Sequence, residues 1–121
     1  MHELSIADAI LGVALRSAGG RRVAKVEVRV GALRQVVPSA LEFAFELVAQ
    51  GTAAEGAELE LEHVPVRVAC RSCGREEELS DLPLACPACG SVDVRVSAGE
   101  ELSVEALELE EAEELTPAGR R

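Results

Sequence analysis

The sequence predicts an α+β fold: a small three-stranded sheet covered by two helices, with a separate module inserted before the last strand. Three observations carry this reading. Two stretches repeat apolar residues at helical spacing, and three alternate apolar with charged residues, as strands with one wet face do. Four cysteines fall in two close pairs between the second and third of these strands. A chain of 121 residues holds one modest core, or one core plus a stapled appendage.

The first helix is expected over Glu3–Ala18. Leu4, Ile6, Ala7, Ile10, Leu11, Val13, Ala14 and Leu15 share one broad side, and Ser5, Asp8, Gly12 and Arg16 the other. Gly19 and Gly20 stop it. Gly12 costs the helix about 1 kcal/mol relative to alanine and is read as a point of close packing. Val23–Val30 alternates, with Ala24, Val26, Val28 and Val30 on one face and Lys25, Glu27 and Arg29 on the other, until Gly31 breaks the strand. The second helix runs from Pro38, suited to a first turn, to Gln50, with Gly51 as its stop. Phe43 and Phe45 lie at opposite edges of its apolar face, and core packing is sufficient to explain both.

Ala57–His63 alternates again, Leu59 and Leu61 opposing Glu58, Glu60 and Glu62. After Pro65 the inserted module brings two short strands, Val66–Ala69 and Val92–Val96. The last strand, about Glu101–Glu110, shifts its apolar parity from Leu102, Val104 and Ala106 to Leu107 and Leu109, which requires a bulge or burial on both faces. The expected division is therefore 1–62 with 99–112 as the α+β body, 63–98 as the inserted module and 113–121 as a flexible tail. The two connections pass near Pro65 and Gly99, where the parts are expected to pivot.

The inserted module contains the strongest chemical signal. Cys70-Arg71-Ser72-Cys73 and Cys86-Pro87-Ala88-Cys89 are separated by twelve residues, and Gly74 and Gly90 follow the pairs at once. Two residues between cysteines let a tight knuckle aim both sulfurs at one point, and the glycine supplies the positive φ that the knuckle needs. Two knuckles make a tetrahedral thiolate cage suited to Zn²⁺. Free cysteines or two disulfides would make the paired spacing accidental. A thioredoxin-like site uses one such pair opening a helix, whereas each pair here opens on glycine. A closed cage leaves no position for water or substrate, so the zinc organises structure rather than chemistry.

Composition narrows the partners. The net charge is −10, and residues 99–121 contribute −6 of it through eight acidic and two basic side chains. Nucleic acid is repelled by this field, and with two Phe and no Trp or Tyr there is no stacking surface. A basic protein partner or a cation fits better. The longest apolar run, Ala9–Leu15, is too short to span a membrane. Glu3 and Asp8 stand where a secretory signal would be basic, so a cytoplasmic protein without membrane attachment is expected.

The amino terminus, Met1-His2-Glu3, is a second candidate site. The Met1 amine and the His2 amide nitrogen can close a five-membered ring on a metal, and His2 Nδ1 a six-membered one. The Glu3 amide or carboxylate can supply a fourth donor. Nitrogen donors in a plane suit Ni²⁺ or Cu²⁺. Taken alone, such a histidine is more often a solvated terminus. His63, at the end of a strand, reads as an edge residue, and the glutamates 76–78 as a solvated face. No nucleophile–base pair, phosphate loop or paired-carboxylate motif is present.

Together these features resemble the HypA/HybF nickel metallochaperones of hydrogenase and urease maturation. The resemblance rests on Met1-His2-Glu3-Leu4-Ser5-Ile6-Ala7, Arg29-Val30-Gly31, and Val37-Pro38 with Leu41-Glu42-Phe43-Ala44-Phe45-Glu46. Ala54-Glu55-Gly56-Ala57, the two cysteine pairs and Gly99-Glu100-Glu101-Leu102 complete it, covering residues 1 to about 110. It implies that His2 ligates nickel, assisted by Glu3 and Met1, and that Cys70, Cys73, Cys86 and Cys89 hold zinc. Nickel is then cargo, and the expected function is its delivery to the precursor of the NiFe-hydrogenase large subunit. The implied partners are a HypB-type GTPase and that precursor, with urease maturation proteins as further candidates and the chain itself a monomer or weak homodimer. His63 matches no motif of the family. Two rival readings are a zinc-ribbon adaptor that binds protein without nickel and an enzyme, the latter disfavoured by the closed cage.

Overall fold

The computed structural model describes residues 2–81 and 83–110. Met1 and the expected tail at 113–121 lie outside the described residues. The chain order is α1 (His2–Ala18), β1 (Val23–Gly31), a 3₁₀ turn (Ala32–Arg34), α2 (Pro38–Ala49) and β2 (Glu58–Val64). It continues with β3 (Val66–Cys70), β4 (Glu76–Leu79), β5 (Val94–Ala98) and β6 (Leu102–Leu109). The strands form two three-stranded sheets, β2-β1-β6 and β4-β3-β5.

In the first sheet β1 is central, parallel to β2 and antiparallel to β6. Helix α2 makes the crossover that a parallel pair requires. Both helices cover this sheet, α1 packing on β1, β6 and α2, and α2 on β2. Ile6, Ala7, Ile10, Leu11 and Ala14 of α1 meet Leu41, Ala44 and Phe45 of α2 over Val23, Val26, Val28 and Val30. The expected α+β architecture is therefore present.

The parity shift in the last strand has the predicted cause. Val28 pairs with Val104 and Glu27 with Ala106, so Glu105 is an extra residue and β6 carries a bulge there. A second irregularity corrects the reading of β1. Val23 pairs with Leu109 and Lys25 with Glu108, leaving Ala24 extra. Val23 thus turns into the core beside Val26, and Ala24 is only half-buried.

Three further expectations are corrected. Phe45 is 1% exposed, but Phe43 is 61% exposed, because α2 overhangs an edge strand and none of the described residues covers that side. Gly12 is not a close-packing point, since a Cβ there would meet only the tip of the Arg16 side chain, at 3.3 Å. In the second sheet β5 begins at Val94 rather than Val92, because Ser91 and Asp93 are used to close the cysteine loops through their carbonyls. Glutamates 76–78 belong to β4, antiparallel to β3 at the sheet edge, where charged side chains facing water are usual.

The two sheets meet at a tight crossing. Gly31 N–H donates to the Glu101 carbonyl at 2.7 Å, and Leu33 N–H to the Gly99 carbonyl at 2.8 Å. Gly99 has φ +117°, and a Cβ on it would lie 2.9 Å from Val66 Cα. The chain therefore leaves the second sheet beside the point where it came in.

Candidate metal centres

The cysteine centre is built from two near-identical knuckles. In the first, Cys70 N–H donates to the Arg75 carbonyl at 2.8 Å and Gly74 N–H to the Cys70 carbonyl at 3.0 Å. In the second, Cys86 N–H donates to the Ser91 carbonyl and Gly90 N–H to the Cys86 carbonyl, both at 2.8 Å. Gly74 and Gly90 take φ +78° and +81°, a conformation that a Cβ would strain. Strands β3 and β5 hold the knuckles together, and Ser72 and Ser91 hydroxyls bridge them at 3.0 Å.

All four sulfurs lie within 4.8 Å of one another, with Cys70–Cys89 at 3.6 Å and Cys73–Cys86 at 3.7 Å. A tetrahedron with Zn–S bonds of about 2.3 Å has edges of about 3.8 Å. A disulfide needs about 2.05 Å. The four cysteines are positioned to bind a zinc ion. The metal-free thiols divide: the Cys73 N–H, with help from the Ser72 amide and neighbouring sulfurs, brings Cys70 down to about 6. Cys89 receives the Ser91 amide, yet the Cys70 sulfur and burial push it up to about 11. A metal replaces this unequal sharing of protons and releases them.

The amino-terminal residues are brought to the 31–37 segment. His2 opens α1, exposed, and its Nε2 lies 2.9 Å from the Arg34 carbonyl oxygen. A carbonyl only accepts, so Nε2 carries the proton and the neutral ring keeps its lone pair on Nδ1. Arg34 is itself tied down, its Nε donating to the Glu100 carbonyl at 2.9 Å. Glu3 Oε2 accepts the Val37 N–H at 3.1 Å, which lowers the carboxyl pKa and joins the starts of the two helices. At a helix start the first amides have no intrahelical partner, so the His2 and Glu3 nitrogens are free of the helical ladder.

Cys70, Cys73, Cys86 and Cys89 thus converge. Among the described residues they are the one group of three or more metal-ligating side chains that does so. His2 and Glu3 are neighbours whose side chains each engage a main-chain partner, and Met1 lies outside the described residues. His63 is exposed on β2, opposite Val30, and belongs to neither centre. Arg34 and Val37 escaped sequence reasoning because they act through main-chain atoms, which leave no trace in residue identity.

Fold and cage define the class: a small α+β protein carrying a closed four-cysteine metal centre on an inserted sheet. A sequence model of the family described as hydrogenase/urease nickel incorporation, metallochaperone, hypA matches residues 1–109. Hydrogenase maturation factor HypA of Geobacter metallireducens is 47% identical over 110 residues, covering 91% of this chain and all of that protein. Its namesake in Geobacter sulfurreducens is 46% identical with the same coverage. The solution structure of the Ni metallochaperone HypA from Helicobacter pylori superposes with a TM-score of 0.66. At 23% identity, and covering 90% of this chain and 97% of that one, it supports the fold. The chain belongs to the HypA family of nickel metallochaperones.

Proposed function

We propose that the chain is a hydrogenase maturation factor that takes up Ni²⁺ at its amino terminus and passes it to the precursor of a NiFe-hydrogenase large subunit. Met1, His2 and Glu3 supply the nickel donors, and Cys70, Cys73, Cys86 and Cys89 hold a structural zinc. A HypB-type GTPase and the cytoplasm are the expected partner and setting. No described helix is long and apolar enough to cross a membrane. Residues 1–62 with 99–112 form the nickel-binding unit in this reading, and 63–98 the zinc-bearing one. Strand β2 itself continues to Val64.

The observation that carries the nickel assignment is the contact of His2 Nε2 with the Arg34 carbonyl. It leaves Nδ1, the nitrogen that closes a six-membered ring with the His2 amide, as the free donor. A second partner on the far ring nitrogen is the usual way a protein fixes a ligating histidine and raises its basicity. The positive end of α1 eases deprotonation of the His2 and Glu3 amides while opposing a bare cation, so binding is tied to proton release. With the Glu3 carboxylate occupied by Val37 N–H, its amide nitrogen is the better fourth donor. An exposed site of this kind loads and unloads without unfolding anything.

Nickel titration of the untagged protein, of His2→Ala and of a form extended before Met1 tests the assignment. The chain has no Trp or Tyr, so the visible band of planar nickel is read alongside zinc analysis. Nickel bound by the untagged protein alone, with zinc in all three, is the expected result. Undiminished nickel binding by His2→Ala would move the site elsewhere, and no nickel binding at all would leave a zinc-stapled adaptor.

A further inference from the structure

A cavity of 560 Å³ lies where α2 overhangs the start of β2. Glu42, Phe43 and Glu46 line it from the helix, and the 56–59 segment from the strand. Phe43 is 61% exposed, and Leu47, one turn on, is 46% exposed. Strand β2 is an edge of its sheet, with a row of main-chain N–H and C=O groups turned away from β1. Glu42 and Glu46 line the cavity from α2, while Glu58, opposite in parity to the buried Leu59, turns its carboxylate to the other face of the same edge. None of the three has a hydrogen-bond or ion-pair partner among the described residues, whereas Glu60 and Glu62 further along β2 are matched by Lys25 and Arg29.

We propose that this groove docks an extended segment of another protein, added as a strand beside β2. The segment sets an apolar side chain on Phe43 and a lysine or arginine against Glu42 and Glu46 on the α2 side, and a second basic side chain against Glu58 on the other face. Main-chain pairing supplies the affinity and the side-chain pattern the selectivity, as in other cases of strand addition. Charge selects the occupant. A second copy of this chain would bring the same three carboxylates to this edge, and anionic lipid or nucleic acid would meet the same repulsion. A basic, apolar strand neutralises the rim and covers the aromatic ring at once. Nothing here depends on nickel, and no proposed metal ligand lines the groove.

The probe is a short synthetic peptide of valine and leucine carrying lysine on both faces of the strand, at odd and at even positions, with one terminal tryptophan. Because the protein has no tryptophan, anisotropy of the peptide's emission reports binding directly. Saturable binding at low salt is expected, with amide shifts at residues 56–59. It should weaken about tenfold in Phe43→Ser and again in Glu46→Lys, both exposed positions whose folding far-UV circular dichroism checks. A peptide N-methylated at alternate residues, or one with glutamate for lysine, should not bind. Absence of saturable binding, unchanged affinity in Phe43→Ser, or equal binding of the N-methylated peptide would overturn the proposal. So would concentration-dependent dimerisation abolished by Phe43→Ser, which would give the groove to a second copy.

Discussion

Gly31→Ala tests the crossing between the two sheets. Gly31 has φ −76°, which any residue adopts, so the obstacle is space and not backbone freedom. A Cβ there would sit 2.1 Å from the carbonyl carbon and oxygen of Gly99. Restoring ordinary contact at ~3.4 Å moves the two backbones apart by about 1.3 Å. The 2.7 Å bond from Gly31 N–H to Glu101 and the 2.8 Å bond from Leu33 N–H to Gly99 then stretch to about 4 Å and are lost. Each buried group left unsatisfied costs about 1–3 kcal/mol, so the substitution should destabilise by roughly 4 kcal/mol, a large part of a small domain's stability. Urea unfolding of the zinc-loaded protein, followed by far-UV circular dichroism, measures it. The same displacement carries Arg34 away from His2, so ¹⁵N shifts of the metal-free His2 ring should lose the single Nε2–H tautomer. A loss below about 1 kcal/mol with an unchanged ring spectrum would refute this account of the crossing.

Gly12→Ala should go the other way, stabilising by up to about 1 kcal/mol in the same assay, because the added methyl meets only the end of Arg16. Phe45→Ala should cost about 3–5 kcal/mol and Phe43→Ala close to nothing, a contrast that urea midpoints would show directly. Glu101 Oε1 accepts the Gly99 N–H at 2.8 Å. Its carboxyl is held below the ordinary 4.5 by its own and the Gly99 amides, with Arg29 adding to them. A pKa depressed by folding gives stability that is fully present above the unfolded value and fades as pH falls through the folded one. Glu101→Gln should therefore flatten the loss of stability below about pH 4.5, and an unchanged acid limb would count against this role.

Much of this molecule is legible from residue order because periodicity reports burial. The valines of β1, the apolar stripe of α1 and the paired cysteines each announce their environment, and the parity slip between Ala106 and Leu107 announces the bulge at Glu105. The failures share a cause. Glutamates 76–78 form a strand through main-chain pairing with β3 alone, and an edge strand facing water needs no apolar alternation. Phe43 and Phe45 look alike within their helix, and only the end of the sheet at β2 decides which is covered. The His2 and Glu3 contacts are made to the main chain at Arg34 and Val37, where side-chain identity is silent. At Ala24 one extra residue exchanges the inward places of two neighbours, a choice that composition does not encode.

The side-by-side arrangement of Val66 and Gly99 also bears on the order in which the molecule assembles. Strand β6 must find β1 across all the residues between Val64 and Leu102. If the cysteines close on their metal first, that stretch behaves as a link of only a few residues. The saving in loop-closure entropy is about 2 kcal/mol, by the logarithmic dependence on loop length. Zinc then acts as a folding catalyst for a sheet that it never touches. Refolding of the β2-β1-β6 sheet with its two helices should accelerate with zinc in the buffer, even though that sheet contains none of the four cysteines.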